Sequence, residues 1–333
     1  MSRVLRYLFA LIFFVPLYFW EIKVYGEAGP SIRYTVFNKK RFVYLRDIAS
    51  YYGFSCWVEK NRTLFSVKNK KWQVVFYHDK KEVDFNGIKL YLLKPAFNRS
   101  IQSYISEKDF WLTIDPLLRA NARKQHPVKT IVIDPGHGGK DLGGNNNLGN
   151  EKDIVLQTAR RTVEQLRRRG YNAVMTRTED INLGLKERVN IASRLGASLF
   201  ISIHNNMAPS SRVSGSIQGV ETFCLTPAGE SSTHGGASQS YMTGNRNDRN
   251  NILLAYEIHR AIISQTQSND RGIKRARFLV LKEISCPAIL VETGFLSHPR
   301  EGSRLLTRAH QNAVATGIAD GVSNYHRAIL QGK

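Results

Sequence analysis

The chain is short of the residues that would make several explanations easy. It has three cysteines, Cys56, Cys224 and Cys286, at unrelated spacings and without a C-x-x-C pair. That argues against a disulfide framework and against a cysteine cage for structural zinc. No His-Glu-x-x-His stretch occurs, so the commonest metalloprotease helix is absent. Acidic residues are scarce, 27 against 48 lysines and arginines, for a net charge of +21 and a pI near 10. Such a balance implies an acidic partner without saying which. No nucleic-acid-binding signature accompanies the cations, and their runs at 68–71, 167–169 and 271–277 read as solvated faces, so nucleic acid is not expected as a partner. Long apolar runs are also missing: Tyr7–Trp20 is too short for a spanning helix and contains Pro16.

That one run suits export better. Arg3 and Arg6 precede it, and Gly26-Glu-Ala28 offers small residues for cleavage, so residues 1–28 read as a signal peptide. The expected location is the periplasm or cell envelope, with no stable membrane insertion once the signal is removed. Residues 20–25 are untypical of a cleavage region, which leaves an uncleaved anchor open. Cys224 and Cys286 each sit beside an expected strand and read as buried apolar residues. A bridge between them stays open in an oxidising compartment.

The 333 residues suffice for one large or two modest domains. Residues 31–118 form a small β-rich α+β region: 63–67, 72–77 and 83–92 read as strands, the last folded at Asn86-Gly87, a strong hairpin signal. Phe42–Ile48 and Phe110–Asp115 each suggest a short strand turning into a short helix. The polar, basic stretch 119–129 reads as a linker. From 130 to 333 strands and helices alternate, with strands at 131–133, 171–176, 199–203, 220–225, 278–282 and 288–291. Helices are expected at 151–169, 185–195, 251–264 and 303–323. Such alternation predicts an α/β fold, a mostly parallel twisted sheet with helices on both faces. The interval Thr226–Asn250, rich in Gly, Ser, Thr and Asn, reads as a flexible loop near the mouth of a cleft.

Chemistry concentrates where strands end. Ile131-Val-Ile133 breaks at Asp134-Pro-Gly and offers His137 from a loop with Gly136, Gly138 and Gly139, where a ligand can come close. Leu199–Ile203 ends at His204, and Ala288–Val291 ends at Glu292. Side chains at the carboxyl ends of parallel strands converge on one crevice. Glu151 opens the first long helix; alone it could simply be a favourable first-turn acid. Glu292, after an apolar run, is either half of a buried salt bridge or a general base tuned by burial. The remaining histidines, 78, 126, 234, 259, 298, 310 and 326, read as ordinary polar or core residues.

Four segments, Asp134-Pro-Gly-His-Gly-Gly139, Asn150-Glu-Lys-Asp153, Ser202-Ile-His-Asn205 and Val291-Glu-Thr-Gly-Phe-Leu-Ser297, together resemble the signature of the zinc-dependent N-acetylmuramoyl-L-alanine amidases of the Amidase_3 type. The similarity runs from about Lys129 to about Tyr325, in the family's order. It implies one zinc per chain on His137, Glu151 and His204, with Glu292 as the catalytic glutamate and Glu221 in a supporting role. It also implies peptidoglycan as substrate, cut at the amide between N-acetylmuramic acid and L-alanine, and leaves an activator protein open as a second partner. Some members carry a blocking helix in the interval matching Thr226–Asn250, and its composition here argues against one. The 31–118 region loosely resembles the small domain named after the N-terminal region of copper amine oxidases, which would make it a wall-binding module or a spacer. The rival to an enzyme is a non-catalytic wall-binding protein on the same fold.

Overall fold

In the computed structural model, residues 32–59 and 64–331 are described; the segment read as a signal peptide lies outside them. The half from residue 130 onward is built on six strands in the order Asn172–Met175, Thr130–Pro135, Leu199–Asn206, Ala288–Phe295, Val220–Leu225, Asp270–Ala276. Neighbours run parallel except Val220–Leu225 against Ala288–Phe295.

Both faces of this sheet are covered, because its strands are apolar at odd and even positions alike. Ile131, Ile133, Ile201, Ile203, Ile289 and Val291 join one core with the helices Glu151–Arg168, Asp248–Thr266 and Arg308–Leu330. Val132, Phe200, Phe223 and Leu290 point the other way and pack on the short helices Leu185–Arg194 and Leu279–Glu283. The first cover is close: a Cβ on Gly321 would sit 2.4 Å from Ile258 Cα in the facing helix. The second cover is slight, so that face stays open toward the carboxyl ends of the parallel strands.

The N-terminal region continues the same sheet. Leu90 in the strand Ile88–Arg99 pairs with Ile273, and the strands Lys80–Phe85, Gln73–Tyr77, Leu64–Lys68 and Ser55–Val58 follow in antiparallel order. Alternation sends Phe65, Val67, Val74, Phe76, Val83 and Phe85 into the large core, where Phe85 meets Tyr256 with ring centroids 5.3 Å apart. The hairpin at Asn86-Gly87 forms, with both residues at positive φ (51° and 78°). The stretch 119–129 is fastened along its length. Lys124 exchanges two hydrogen bonds with the Asn250 side chain, His126 meets Tyr325, and Val128 is buried in the core.

Several sequence expectations need correction. Residues 278–282 are not a strand: Leu279–Glu283 is a helix, a reminder that a short apolar run cannot be assigned by periodicity alone. The strand there is Asp270–Ala276, disguised by its charges and lying between Val220–Leu225 and Ile88–Arg99. Lys274 and Arg275 in it are buried, so the 271–277 run is not a solvated face. The closing helix is two, Pro299–Leu305 and Arg308–Leu330, split where the Thr307 side chain caps the second. Phe110–Asp115 contains no strand; the strand Gln102–Ser106 precedes it and 107–118 is helical. Thr226–Asn250 holds a small hairpin and a 3-10 turn at Thr243–Asn247, with no α-helix before Asp248. Nor does it border the cleft. Val220–Leu225 runs antiparallel to Ala288–Phe295, so the segment after it leaves the sheet at the end opposite Glu292. Cys224 and Cys286 are buried and free.

Candidate active site

The period of two along each strand decides which side chains share the crevice. On the lightly covered face, Val132 is followed by Asp134, Phe200 by Ser202 and His204, and Leu290 by Glu292. His204 is in register with Glu292, and Glu292 with Glu221, so three polar side chains singled out in the sequence stand in one row across three strands. His137 and Glu151 close the row from the loop and from the first turn of the helix Glu151–Arg168. The resulting cavity, about 530 Å³, is lined by Asp134, His137, Glu151, His204 and Glu292, with Met207 and Phe278 among its apolar residues.

His137 reaches its place through a left-handed backbone (φ 58°) that a side-chain-bearing residue adopts only under constraint. Two buried arginines supply the constraint. Arg188 donates to the carbonyls of Pro135 (2.7 Å) and His137 (2.6 Å) while paired with Asp134 at 2.8 Å. Arg177 donates to the carbonyls of Pro135 (3.1 Å) and Gly136 (2.8 Å). Asp134 in turn accepts from Thr176 and Ser202. Glycine at 136 is required by contact, since a Cβ there would lie 2.2 Å from the His204 ring.

Glu151 Oε1 sits 3.2 Å from His137 Nε2 and 3.0 Å from His204 Nδ1, and also accepts the Asn205 amide at 2.9 Å. Its other oxygen accepts the Gly144 amide at 2.7 Å. Burial pushes the Glu151 carboxyl up, but hydrogen bonds from the two histidines outweigh it and hold it well below the usual carboxylate range. Ligand atoms of His137, Glu151 and His204 all lie within 4.8 Å of one another, a spacing a single ion can bridge. The far nitrogen of His137 contacts Asp141 at 2.9 Å, which orients the ring.

Glu292 is the unusual member. Its Oε2 is buried without a hydrogen-bond partner, and its proton affinity is driven well above normal by burial and by repulsion from Glu151 and Glu221. The salt-bridge alternative is therefore not what the side chain does: among the described residues no cation pairs with it. Glu221, its neighbour across the strands, is held by Lys274 (2.6 Å), Arg271 (2.8 Å) and Asn206 (3.1 Å). It stands apart from the three converging donors.

Sequence reading missed the residues that hold this arrangement. Arg177, Arg188 and Asp141 look like ordinary polar residues in one chain, and only Asp134, wedged between an apolar strand and Pro-Gly, carries a local signal. Glu301 was likewise invisible; it accepts the amides of Gly219 (2.9 Å) and Phe295 (2.7 Å), fastening the turn that follows Glu292.

Comparison with known proteins converges on the same half of the chain. AmiA, an N-acetylmuramoyl-L-alanine amidase of Escherichia coli K12, is 32% identical over 237 residues, spanning 62% of this chain and 79% of AmiA. LytC of Bacillus subtilis 168, with the same activity in its name, is 34% identical over 209 residues, 62% of this chain and 38% of LytC. The catalytic domain of CwlV, an N-acetylmuramoyl-L-alanine amidase from Bacillus (Paenibacillus) polymyxa, superposes with a TM-score of 0.50 at 33% identity, covering 62% of this chain and 99% of that domain. The CwlD amidase of Clostridioides difficile, solved in complex with the GerS lipoprotein, superposes with a TM-score of 0.50 at 26% identity, over 59% of this chain and 98% of CwlD. The sequence pattern of the family described as N-acetylmuramoyl-L-alanine amidase spans residues 131–324, every strand and helix that builds the crevice, and the chain belongs to that family.

Proposed function

We propose that this chain is a zinc-dependent peptidoglycan hydrolase that cuts the amide between N-acetylmuramic acid and the L-alanine of the stem peptide. The observation that carries the reading is the crevice: three convergent donors beside a buried carboxyl that has no partner. Two imidazoles with one carboxylate suit catalytic zinc, which takes three protein ligands from nitrogen and oxygen donors. His137, Glu151 and His204 would hold one ion per chain. Zinc there supplies a Lewis acid that makes water more acidic and polarises the scissile carbonyl.

The chain's own residues do the rest. Glu292 takes the proton from the attacking water and passes it to the leaving amine of L-alanine. Both tasks want a carboxyl of raised proton affinity, and burial beside two other acids provides it. Asp141 fixes the His137 ring, and Arg177 with Arg188 fixes its loop. Glu221, bound to Lys274 and Arg271, supports Glu292 from the neighbouring strand. No serine or cysteine nucleophile is required.

We place the reaction in the periplasm or cell envelope, where the substrate is and where residues 1–28, read as a signal peptide, would send the chain. Among the described residues no helix is long and apolar enough to cross a membrane. The division into an accessory region 31–118 and a catalytic region 130–333 is kept as part of this proposal, the first engaging the wall and the second cutting it. An activator protein is a further partner to test. The rival reading, a wall-binding protein without activity, is disfavoured by the complete set of four chemical side chains. Mass analysis of purified peptidoglycan after digestion decides: free stem peptides are expected, whereas cut glycan, cut cross-links or binding without release would refute the amidase reading.

A further inference from the structure

The active-site cavity occupies one end of the catalytic sheet. A second cavity, about 650 Å³, shares no lining residue with it and lies beside the segment that follows Val220–Leu225. Its cations come from three parts of the chain. Lys108 comes from the N-terminal region, Arg123 and Lys124 from the fastened stretch 119–129, and Arg246 and Arg249 from the entry to the helix Asp248–Thr266. Five cations thus line one cavity, with Asp248 the sole acid on the wall.

These cations are short of internal partners. Lys108 alone is in an ion pair, with Glu230 at 3.2 Å. Arg123 and Arg249 donate only to the backbone carbonyls of Ala120 and Ala122. The side chains of Lys124 and Arg246 have no partner among the described residues and are exposed. Asp248 offsets the group only in part: one buried carboxylate, accepting from Asn245 and shared between Arg275 and Lys108, stands against five cations. Like charges gathered with few acids repel one another, and an anion entering the cavity would relieve that repulsion. The spacing is also preset, since Asn250 pins the Lys124 backbone at 3.0 and 2.8 Å and bonds Tyr325 as well.

We propose that this cavity is a second, non-catalytic site of the same enzyme, holding the carboxylates of an uncut stem peptide elsewhere on the peptidoglycan strand. The proposal rests on the amidase reading. Arginine forks match carboxylates, and the volume falls in the range of ligand-sized pockets. Stem peptides repeat along the glycan, so a second one seated here raises the effective concentration of the first at the active site. It also gives the chain's excess positive charge a specific place to act.

The test uses the full chain with Lys124→Gln and Arg246→Gln together, two exposed changes away from the catalytic machinery, with unchanged melting temperature as the check on folding. A control carries Arg300→Gln and Arg308→Gln, the same loss of charge at exposed positions outside this wall. Substrates are soluble uncross-linked glycan chains bearing many stem peptides, and a single disaccharide-peptide unit. The expected result is KM for the long chains raised about tenfold by loss of two charge-assisted contacts. Turnover number and activity on the single unit should not change, and the control should match wild type. Amidating the stem-peptide carboxylates should reproduce the loss on the wild-type enzyme. Equal effects in variant and control would show bulk charge and overturn the site. So would amidated chains binding as tightly as free ones, or a loss confined to wall material that carries phosphodiester polymer. If wild type releases no stem peptide from either substrate, the amidase reading fails, while calorimetric binding of the chains still decides the site.

Discussion

The two ends of the long sheet follow opposite rules. At the N-terminal end, antiparallel strands bury one face and leave the other largely to water, with Phe65, Val74 and Phe76 inside and Trp57, Lys68 and Gln73 outside. The asparagine turn there has its bonds made: Asn86 Oδ1 accepts the Gln73 amide and Asp84 Oδ1 accepts that of Gly87. At the catalytic end, the central parallel strands Thr130–Pro135, Leu199–Asn206 and Ala288–Phe295 are apolar on both faces, with their charged residues toward their carboxyl ends. There His137 sits at positive φ and Glu292 Oε2 lacks any partner. Satisfied polar groups stabilise a fold; unsatisfied ones held in place are available to a substrate. The orphaned Glu292 oxygen therefore marks the working end, whereas positive φ by itself does not, since Asn38, Lys39, Asp79, Asn86 and Ser100 adopt it at the supporting end.

The contrast can be broken most severely at His204. Replacing His204 with Ala should abolish metal binding and activity and leave a folded domain, since the ring lies at the crevice and not in either core. One tightly held zinc by elemental analysis, with full turnover, would remove His204 from the ligand set. A second, smaller effect separates neighbours in one row. Glu292→Gln should retain zinc and melting temperature but lose about 10²–10⁴ in turnover, as expected when a positioned general base cannot accept a proton. Unchanged metal and stability with near-normal turnover would take Glu292 out of the mechanism. The smallest effect on chemistry is expected at the other end of the sheet. A fragment from 129 to 333 should hydrolyse soluble substrate at close to the full-length rate while melting at lower temperature, because Phe85 and Leu90 no longer cover Tyr256 and Ile273. Binding to intact sacculi should fall further than turnover. An inert fragment would mean that the N-terminal strands complete the catalytic core.

How much could be read from the chain alone depended on whether the signal was local. The strand ends at His137, His204 and Glu292 were legible because buried parallel strands are short, uninterrupted apolar runs, and a polar residue directly after one stands out. The hairpin at Asn86-Gly87 was legible because left-handed backbone at two successive residues restricts what can occupy them. The helix at Leu279–Glu283 and the strand Asp270–Ala276 were not. One is too short for periodicity, and the other carries Lys274 and Arg275, whose burial makes sense only once Glu221 and the carbonyls of Leu112 and Leu225 are beside them.

By itself, then, the sequence determined which residues sit at the carboxyl ends of which strands, since backbone geometry and apolar patterning act within a few residues. The tertiary structure alone decided the rest. It placed Arg188 and Arg177 on the carbonyls of a loop some forty to fifty positions earlier in the chain. It left Glu292 unpaired while giving Glu221 two cations, and it turned Val220–Leu225 against its neighbour so that the following segment left the opposite end. It also joined the N-terminal strands to the catalytic sheet through Leu90 and Ile273. Each of these depends on which groups meet across long stretches of chain. Charge, hydrogen bonding and burial act through that proximity in space, which no local pattern encodes.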